Sequence, residues 1–552
     1  SDEKRTFAIG PEAYLSVVRA AGAGQPFHGS ETQNTTREFT FTSTNQLNYN
    51  KVFAEKHTLD VSLFTEYLKA HRRLNQFTQT GLNPLTWYPG AGTGYIPYST
   101  ALPVSYAPTV AASRTDAGLF SYFGTVNYDF DSRFGVTGTI RRDASSRFSE
   151  TNRWGTFWSV AGFWNIADEG FMKDSAFNSL KLRASYGSTG NQNILSATAG
   201  NLPFVGPDLY ATFFNTANGY GNIAAILRGQ IGNTSLKWEV VNQANVGIDF
   251  GVWNNKLRGA FDVYYKKTEG LYQSKPQSFV TGTGGAIPSN TGSLYNRGFD
   301  FELHYDVVNK NDLKLTLNFV GNYNRSALAD IPNTSGELIG TGRNGGVLGE
   351  RKLVRYAGVN PANGNLLYLD INDNLTESPN ADKDAVWTNT TNNPDFLGSF
   401  GFNLDYKGFF LTTQFNYETG ITRFDFDYND FIDPVNIGQF NVSQDLLRAW
   451  TPDNRVTDIP SLKASNLQVI NAGATDRFIK KADFLRLRFL QFGYNLSPNA
   501  LKNTGFRNLR IFGNAENLFT WTEFRGFDPS SRAGSREYPT PKIISLGLEI
   551  GF

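Results

Sequence analysis

The sequence contains no cysteine, which excludes a disulfide framework and any thiolate metal site. It carries almost no net charge. Lys+Arg number 51 and Asp+Glu 50 in 552 residues, so no basic field points to nucleic acid. Nowhere do about 18 apolar residues run together, which excludes a transmembrane helix. The mean hydropathy of −0.37 excludes a helical membrane bundle but not a barrel, whose lumen and loops are polar. Only four histidines occur, His28, His57, His71 and His304. They lie far apart, without metal-ligand spacing, and none is spaced with a Ser or Asp in a way that marks a hydrolase. The chain is therefore expected to carry no catalytic residue, no metal site and no cofactor. Its start, Ser-Asp-Glu-Lys-Arg, does not read as a signal peptide, so an outer-membrane protein with this sequence is expected to be mature or a fragment.

What is present points one way. Aromatics make up 14% of the chain and glycines number 54, a balance that suits a barrel with aromatic girdles and Gly-rich turns. The last nine residues alternate without a break. Ile544, Leu546, Leu548, Ile550 and Phe552 fall on one side, and Ser545, Gly547, Glu549 and Gly551 on the other. That is the period of a strand with one apolar face, and its length fits a tilted membrane strand of about 9–11 residues. About fifteen such segments are predicted, near 37–52, 57–80, 114–130, 134–142, 156–168, 178–190, 236–252, 257–267, 291–307, 313–325, 396–406, 409–420, 483–496, 508–521 and 544–552. Residues 1–36 show little alternation.

The connections separate a barrel from a soluble sandwich. Tight turns are expected at 131–133, 253–256, 309–312 and 407–408, where Asn, Asp, Gly and Lys gather. Long links lie near 81–113, 191–235, 268–290, 326–395, 421–482 and 522–543; those near 143–155 and 169–177 are intermediate. Alternation of short and long puts all tight turns at one rim, as in an outer-membrane barrel. The fold class is thus all-β, a transmembrane antiparallel barrel, with residues 37–552 forming its C-terminal portion. By parity, residues 1–36 are expected to belong to an extracellular loop.

Several stretches have both a structural and a functional reading. Arg141, Arg142 and Asp143 end one strand, either as a solvated tip or as a polar cluster at the barrel mouth that contacts a ligand. Gly187 and Gly190 mark a bend or bulge, and no Lys-Ser/Thr follows them as a phosphate loop requires. Trp87, Tyr88, Tyr95 and Tyr98 lie in a Pro/Gly-rich loop, where exposed rings either stack on a sugar or partner or pack the loop itself. Asp370, Asn372 and Asp373 read as an acidic turn or as oxygen donors for Ca²⁺, without the full EF-hand spacing. Arg486 and Arg488 are expected on the lumen side, opposite Leu485, Leu487 and Phe489.

The stretches F-G-T-V-N-Y-D from Phe123, R-R-D-A-S-S-R-F from Arg141, L-K-L-R-A-S-Y-G-S-T-G-N-Q-N from Leu180, L-K-W-E from Leu236 and N-A-E-N-L-F from Asn514, followed by Gly526-Phe527-Asp528-Pro529, occur in order along the chain. Together they resemble the SusC-like TonB-dependent transporters of Bacteroidota outer membranes. Ala144 departs from the glycine usual there. The resemblance implies a barrel of about 22 strands, preceded by a plug and a TonB-contacting segment. Neither the plug nor the roughly seven further strands are found in this chain. It further implies a SusD-like surface lipoprotein as lid, the TonB complex as energy source, and import of an oligosaccharide or peptide across the outer membrane. A passive porin and a secreted β-rich adhesin are the alternative readings.

Overall fold

The computed structural model describes residues 3–7, 30–80, 109–193, 208–276, 286–331, 336–338, 342–438, 441–463, 472–502, 505–531 and 538–552. Sixteen strands run through it: β1 (Glu3–Phe7), β2 (Ser30–Phe53), β3 (His57–Thr80), β4 (Thr109–Phe130), β5 (Phe134–Ser145), β6 (Trp154–Asn165), β7 (Phe177–Asn191) and β8 (Glu239–Val252), then β9 (Leu257–Glu269), β10 (Ser293–Lys310), β11 (Leu313–Ala329), β12 (Phe396–Tyr406), β13 (Phe409–Thr419), β14 (Phe484–Asn495), β15 (Asn508–Thr522) and β16 (Ile543–Gly551). They form one sheet in which each strand pairs with its sequence neighbours, antiparallel throughout. Fifteen of the sixteen fall on the predicted segments. The other is β1, and β2 begins at Ser30 rather than 37. Residues 30–36 read S-E-T-Q-N-T-T. A strand that projects beyond the apolar band needs no apolar face, so this part of β2 leaves no alternation to read.

The hairpin turns follow from backbone sterics. Ala54 and Glu55 between β2 and β3, Asp131 and Ser132 between β4 and β5, and Lys407 and Gly408 between β12 and β13 all have positive φ. Two successive left-handed residues match the right-handed twist of the strands they join. With links 166–176, 253–256, 311–312 and 496–507, these turns share one rim. The opposite rim carries 81–108, 192–238, 270–292, 330–395, 420–483 and 523–542, and only 146–153 is short there.

The two faces of the sheet differ. On one face Ile140, Phe492, Ile544, Leu546 and Phe552 are exposed, Leu546 at 90%, and the same face carries stacked or tilted aromatic pairs such as Phe134–Trp164 and Phe319–Phe400. So much exposed apolar surface has no place on a soluble monomer; it is the lipid face of an outer-membrane barrel. No helix among the described residues is long and apolar enough to cross a membrane. Buried apolar clusters lie instead at the long-loop side: Phe148, Phe157, Leu236, Trp238 and Tyr272; Ile432, Leu446, Ala449, Ile459 and Phe478; Val354, Leu366 and Tyr368. No oily filling sandwiched between two sheets is needed to account for the sheet.

A direct consequence concerns β16. Leu546→Arg puts a charge on the lipid face near mid-strand and should cost about 2–4 kcal/mol. Ser545→Arg, on the opposite face, should cost far less. The measurement is the folded fraction in lipid vesicles across a urea series; equal losses for the two would contradict the facial assignment.

Candidate functional site

The inner face of the wall is polar and internally bonded. Arg183 on β7 donates to Asp249 on β8 at 2.8 and 2.9 Å and to Asp262 on β9 at 3.0 and 3.1 Å. It reaches across β8 because residue 247 is glycine: a Cβ there would stand 2.2 Å from the Asp262 carboxylate. Further along, His304 bonds Asn318 and Glu302, each at 2.7 Å. Such a surface presents hydrogen-bonding groups to anything in the lumen while its charges balance locally.

At the long-loop rim two cavities, each lined by both polar and apolar side chains, open on this face. The first, of about 400 Å³, is lined by Arg141, Asp143, Phe157, Ser159, Thr189, Asn191 and Trp238, among others. Arg141 donates to Asp143 at 2.7 Å and to Ser121 at 2.8 Å, stands 3.7 Å from Glu66, and lies 4.4 Å over the Phe123 ring. Asp143 and Ser121 are buried. Above the cavity the Gly-rich stretch, the L-K-W-E stretch and the strand segment Tyr272–Pro276 lock together. Tyr272 bonds the carbonyls of Asn191 and Lys237 at 2.9 and 2.8 Å. Its N–H donates to Glu239 at 3.2 Å, and Asn191 donates to the same carboxylate at 3.1 Å. Burial pushes the Tyr272 hydroxyl well above its usual range, so it acts as a neutral donor there.

β6 and β7 part below this unit. Their ladder ends at Ser159 and Gly187, although β6 continues to Trp154 and β7 to Asn191. The Phe157 ring fills the opening. A Cβ on Gly190 would lie 2.0 Å from that ring and one on Gly155 2.5 Å, and Trp238 packs on it edge-on with centroids 5.4 Å apart. Of the bend or bulge expected at Gly187 and Gly190, the bulge is not found. The β7–β8 register runs through both without a shift, and the glycines serve close approach, Gly187 to the Trp158 carbonyl and Gly190 to Phe157.

The second cavity, of about 330 Å³, is lined by Leu397, Asn416, Glu418, Arg486, Arg488, Ser530 and Thr540, among others. Arg486 is buried on β14 and holds loop 523–542: it donates to Asp528 at 2.6 Å, to Ser530 at 3.0 Å and to Thr520 at 2.9 Å. Asp528 also accepts from Ser530 Oγ at 2.6 Å, Ser530 N–H at 2.9 Å and Thr540 N–H at 3.0 Å. Burial alone would raise the Asp528 carboxyl, but hydrogen bonds from Ser530, Thr540 and Arg486 outweigh it and hold it well below the ordinary range. Arg488 donates to Asn517 at 2.7 Å, and Asn517 donates to the Pro541 carbonyl at 3.0 Å. One expectation fails here. Phe489 does not stay with Leu485 and Leu487, because the register shifts between Leu487 and Phe489 and sets Phe489 opposite Gln414 and Glu516. The bulge at Arg488 turns the rest of the strand over.

The long loops are tied to one another. Asp445 accepts from Arg525 at 2.8 Å, Tyr428 at 3.0 Å and Arg448 at 3.1 Å. Val354 N–H bonds Ala474 at 2.9 Å, and Trp450 bonds the Pro361 carbonyl at 3.1 Å. In the Asp370 turn the carboxylate accepts the N–H groups of Asn372 and Asn374, both at 2.8 Å, and Asp373 pairs with Arg355. This is an acidic turn whose oxygens are already engaged.

Of the candidate residues picked from sequence, Arg141 and Asp143 stand together on the first cavity. Strand alternation sends Arg142 to the lipid face, where it lies 5.2 Å over the Trp154 ring. Trp87, Tyr88, Tyr95 and Tyr98 lie outside the described residues. Sequence reasoning missed Phe157, Glu239, Tyr272, Asp528 and Ser530. Asp528 carried a signal, its place in Gly-Phe-Asp-Pro, but nothing in the sequence named Arg486 as its partner.

Comparison with known proteins agrees with this geometry. The family described as "TonB dependent receptor-like, beta-barrel" matches residues 13–369. TonB-dependent receptor P39 of Formosa agariphila is 27% identical over 587 aligned residues, covering 95% of this chain and 54% of that protein. TonB-dependent receptor SusC of Bacteroides thetaiotaomicron is 29% identical over 473, covering 80% of this chain and 44% of SusC. The chain spans about half the length of these relatives. Among solved structures, the RagAB peptide transporter superposes with a TM-score of 0.79 at 25% identity, over 95% of this chain and 56% of that one. With sheet, rims and profile in agreement, the chain belongs to the TonB-dependent receptor-like β-barrel family of the outer membrane.

Proposed function

We propose that this chain is the barrel portion of a TonB-dependent importer that takes up an oligosaccharide or peptide nutrient, with a SusD-like surface lipoprotein as lid. The observation that carries this reading is the pairing of a polar, internally neutralised wall with two cavities beneath cross-tied loops at one rim. A vestibule of that kind holds a polar solute by many weak hydrogen bonds and can release it inward. The relatives named TonB-dependent receptor SusC and RagAB peptide transporter support the import reading, and the second of these names supports a peptide as one substrate class. In this reading residues 1–36 belong to the long-loop rim, further strands and a plug complete the wall and close the lumen, and Arg141 and Asp143 contact substrate with the ring-bearing loop residues Trp87, Tyr88, Tyr95 and Tyr98.

The test is uptake by cells that carry the full-length protein. Labelled oligosaccharides and peptides should enter only while the proton-motive force is intact, and a protonophore should abolish entry. Co-purification should bring down a surface lipoprotein. Uptake that persists in de-energised cells would instead identify a passive porin.

A further inference from the structure

The lipid face of β2, β3 and β4 carries three successive cross-strand rows above its upper aromatic girdle. The girdle row is Ser43, Tyr67 and Phe120. One step outward lie Phe41, Lys69 and Gly118, then Phe39, His71 and Asp116, then Arg37, Arg73 and Arg114. The last row sets three guanidinium side chains directly opposite one another, all exposed. Like charges in that position oppose strand pairing, so the row calls for negative charge between its members.

The chain supplies little. Within one row of the arginines on this face, β4 carries Asp116, which is shared by His71 at 2.6 Å and Arg114 at 2.9 Å, and β1 sets Glu3 opposite Thr35, one row beyond Arg37. Glu38 pairs with Arg72 at 3.3 Å, but both lie on the inner face. Among the described residues Arg37 and Arg73 have no carboxylate partner.

Height selects the missing anion. Each row rises about 7 Å along the strand. With a tilt of about 40° the arginine row stands roughly 15 Å above the girdle, and the Lys69 row about 5 Å above it. The polar zone of a phospholipid leaflet is only about 5–7 Å deep. A glycerophospholipid phosphate thus reaches Lys69 and stops short of the arginines, whereas phosphates on a saccharide headgroup reach both. We propose that the Arg37–Arg73–Arg114 row with Lys69 is a binding site for a phosphorylated glycolipid of the outer leaflet. The acyl chains lie on the girdle rings, Lys69 takes the phosphate nearest the membrane, and the arginine row takes phosphate farther out on the sugar. The proposal rests on the membrane location and not on the transport reading.

The test uses the full-length protein in phosphatidylcholine nanodiscs doped with a bisphosphorylated disaccharide lipid, and native mass spectrometry counts retained lipid. Wild type should retain it in preference to the enzymatically dephosphorylated lipid and to phosphatidylglycerol. Arg37→Gln, Arg73→Gln and Arg114→Gln together should lower retention about tenfold, the factor expected for lost charge-assisted contacts. Equal retention by the triple variant overturns the proposal. So does equal retention of the dephosphorylated lipid by wild type, an outcome that holds even where the triple variant does not fold. Displacement of the lipid by inorganic pyrophosphate at equal concentration would mark a site for a soluble anion and overturn it too.

Discussion

Arg486→Ala will release loop 523–542 from the barrel wall. The Arg486–Asp528 pair is buried at both ends, with side-chain exposures of 9% and 7%. Removing one member strands the other charge, and for buried pairs that costs about 3–5 kcal/mol. Hydrogen exchange should show the loop opening: amides of Ser530 and Thr540, now bonded to Asp528, should lose protection while those of β13 keep theirs. Replacing both partners, Arg486→Met with Asp528→Leu, should cost much less than the single change, since no buried charge is then left over. The loop's response to acid follows from the sign of the Asp528 shift. Its carboxyl is depressed in the folded state, so its contribution is complete above the unfolded value near 3.9 and is lost only as pH falls through the lower folded value. The loop should therefore stay anchored at pH 4.5. Release at that pH would contradict the bonding described.

Phe157→Ala should be the most damaging single truncation at the first cavity. The ring is nearly fully buried at 6% exposure, and truncating such a phenylalanine costs about 3–5 kcal/mol. The effect is coupled to residue 190. In the native background Gly190→Ala drives a methyl to 2.0 Å from the ring, an overpacking of about 1–3 kcal/mol. With Phe157 already alanine, the same substitution should cost almost nothing. A double-mutant cycle read by thermal melting in detergent isolates the contact; additive losses would show that the ring does not occupy the seam between β6 and β7.

The difference between what could and could not be read from sequence has a physical basis. Alternation in β16 and β11 was visible because one face meets hydrocarbon and the other does not, and the same asymmetry sorted the links between rims. The start of β2 was not visible, because a strand standing clear of the membrane has no apolar face. Alternation also misled at Phe489, since a one-residue bulge reverses every side chain beyond it and leaves no compositional trace. Arg141 and Asp143 could be picked as charges at a strand end, and alternation alone separates them from Arg142. The partners of Arg141, Ser121 and Glu66, are ordinary residues whose role comes from register. The close approach at Gly190 leaves no local signal, because its ring partner lies 33 positions away in the chain, on a different strand.

Two of the apolar clusters of the long loops, the one around Ile459 and the one around Val354, are built from residues outside the sixteen strands of the wall. Loss of these small cores removes no hydrogen bond between strands, and loss of lipid contact exposes none of their side chains. Chemical denaturation should therefore proceed in two stages. Modest urea would strip protection from amides around Ile459 and Val354, and the ladder of the wall would yield only at much higher concentration.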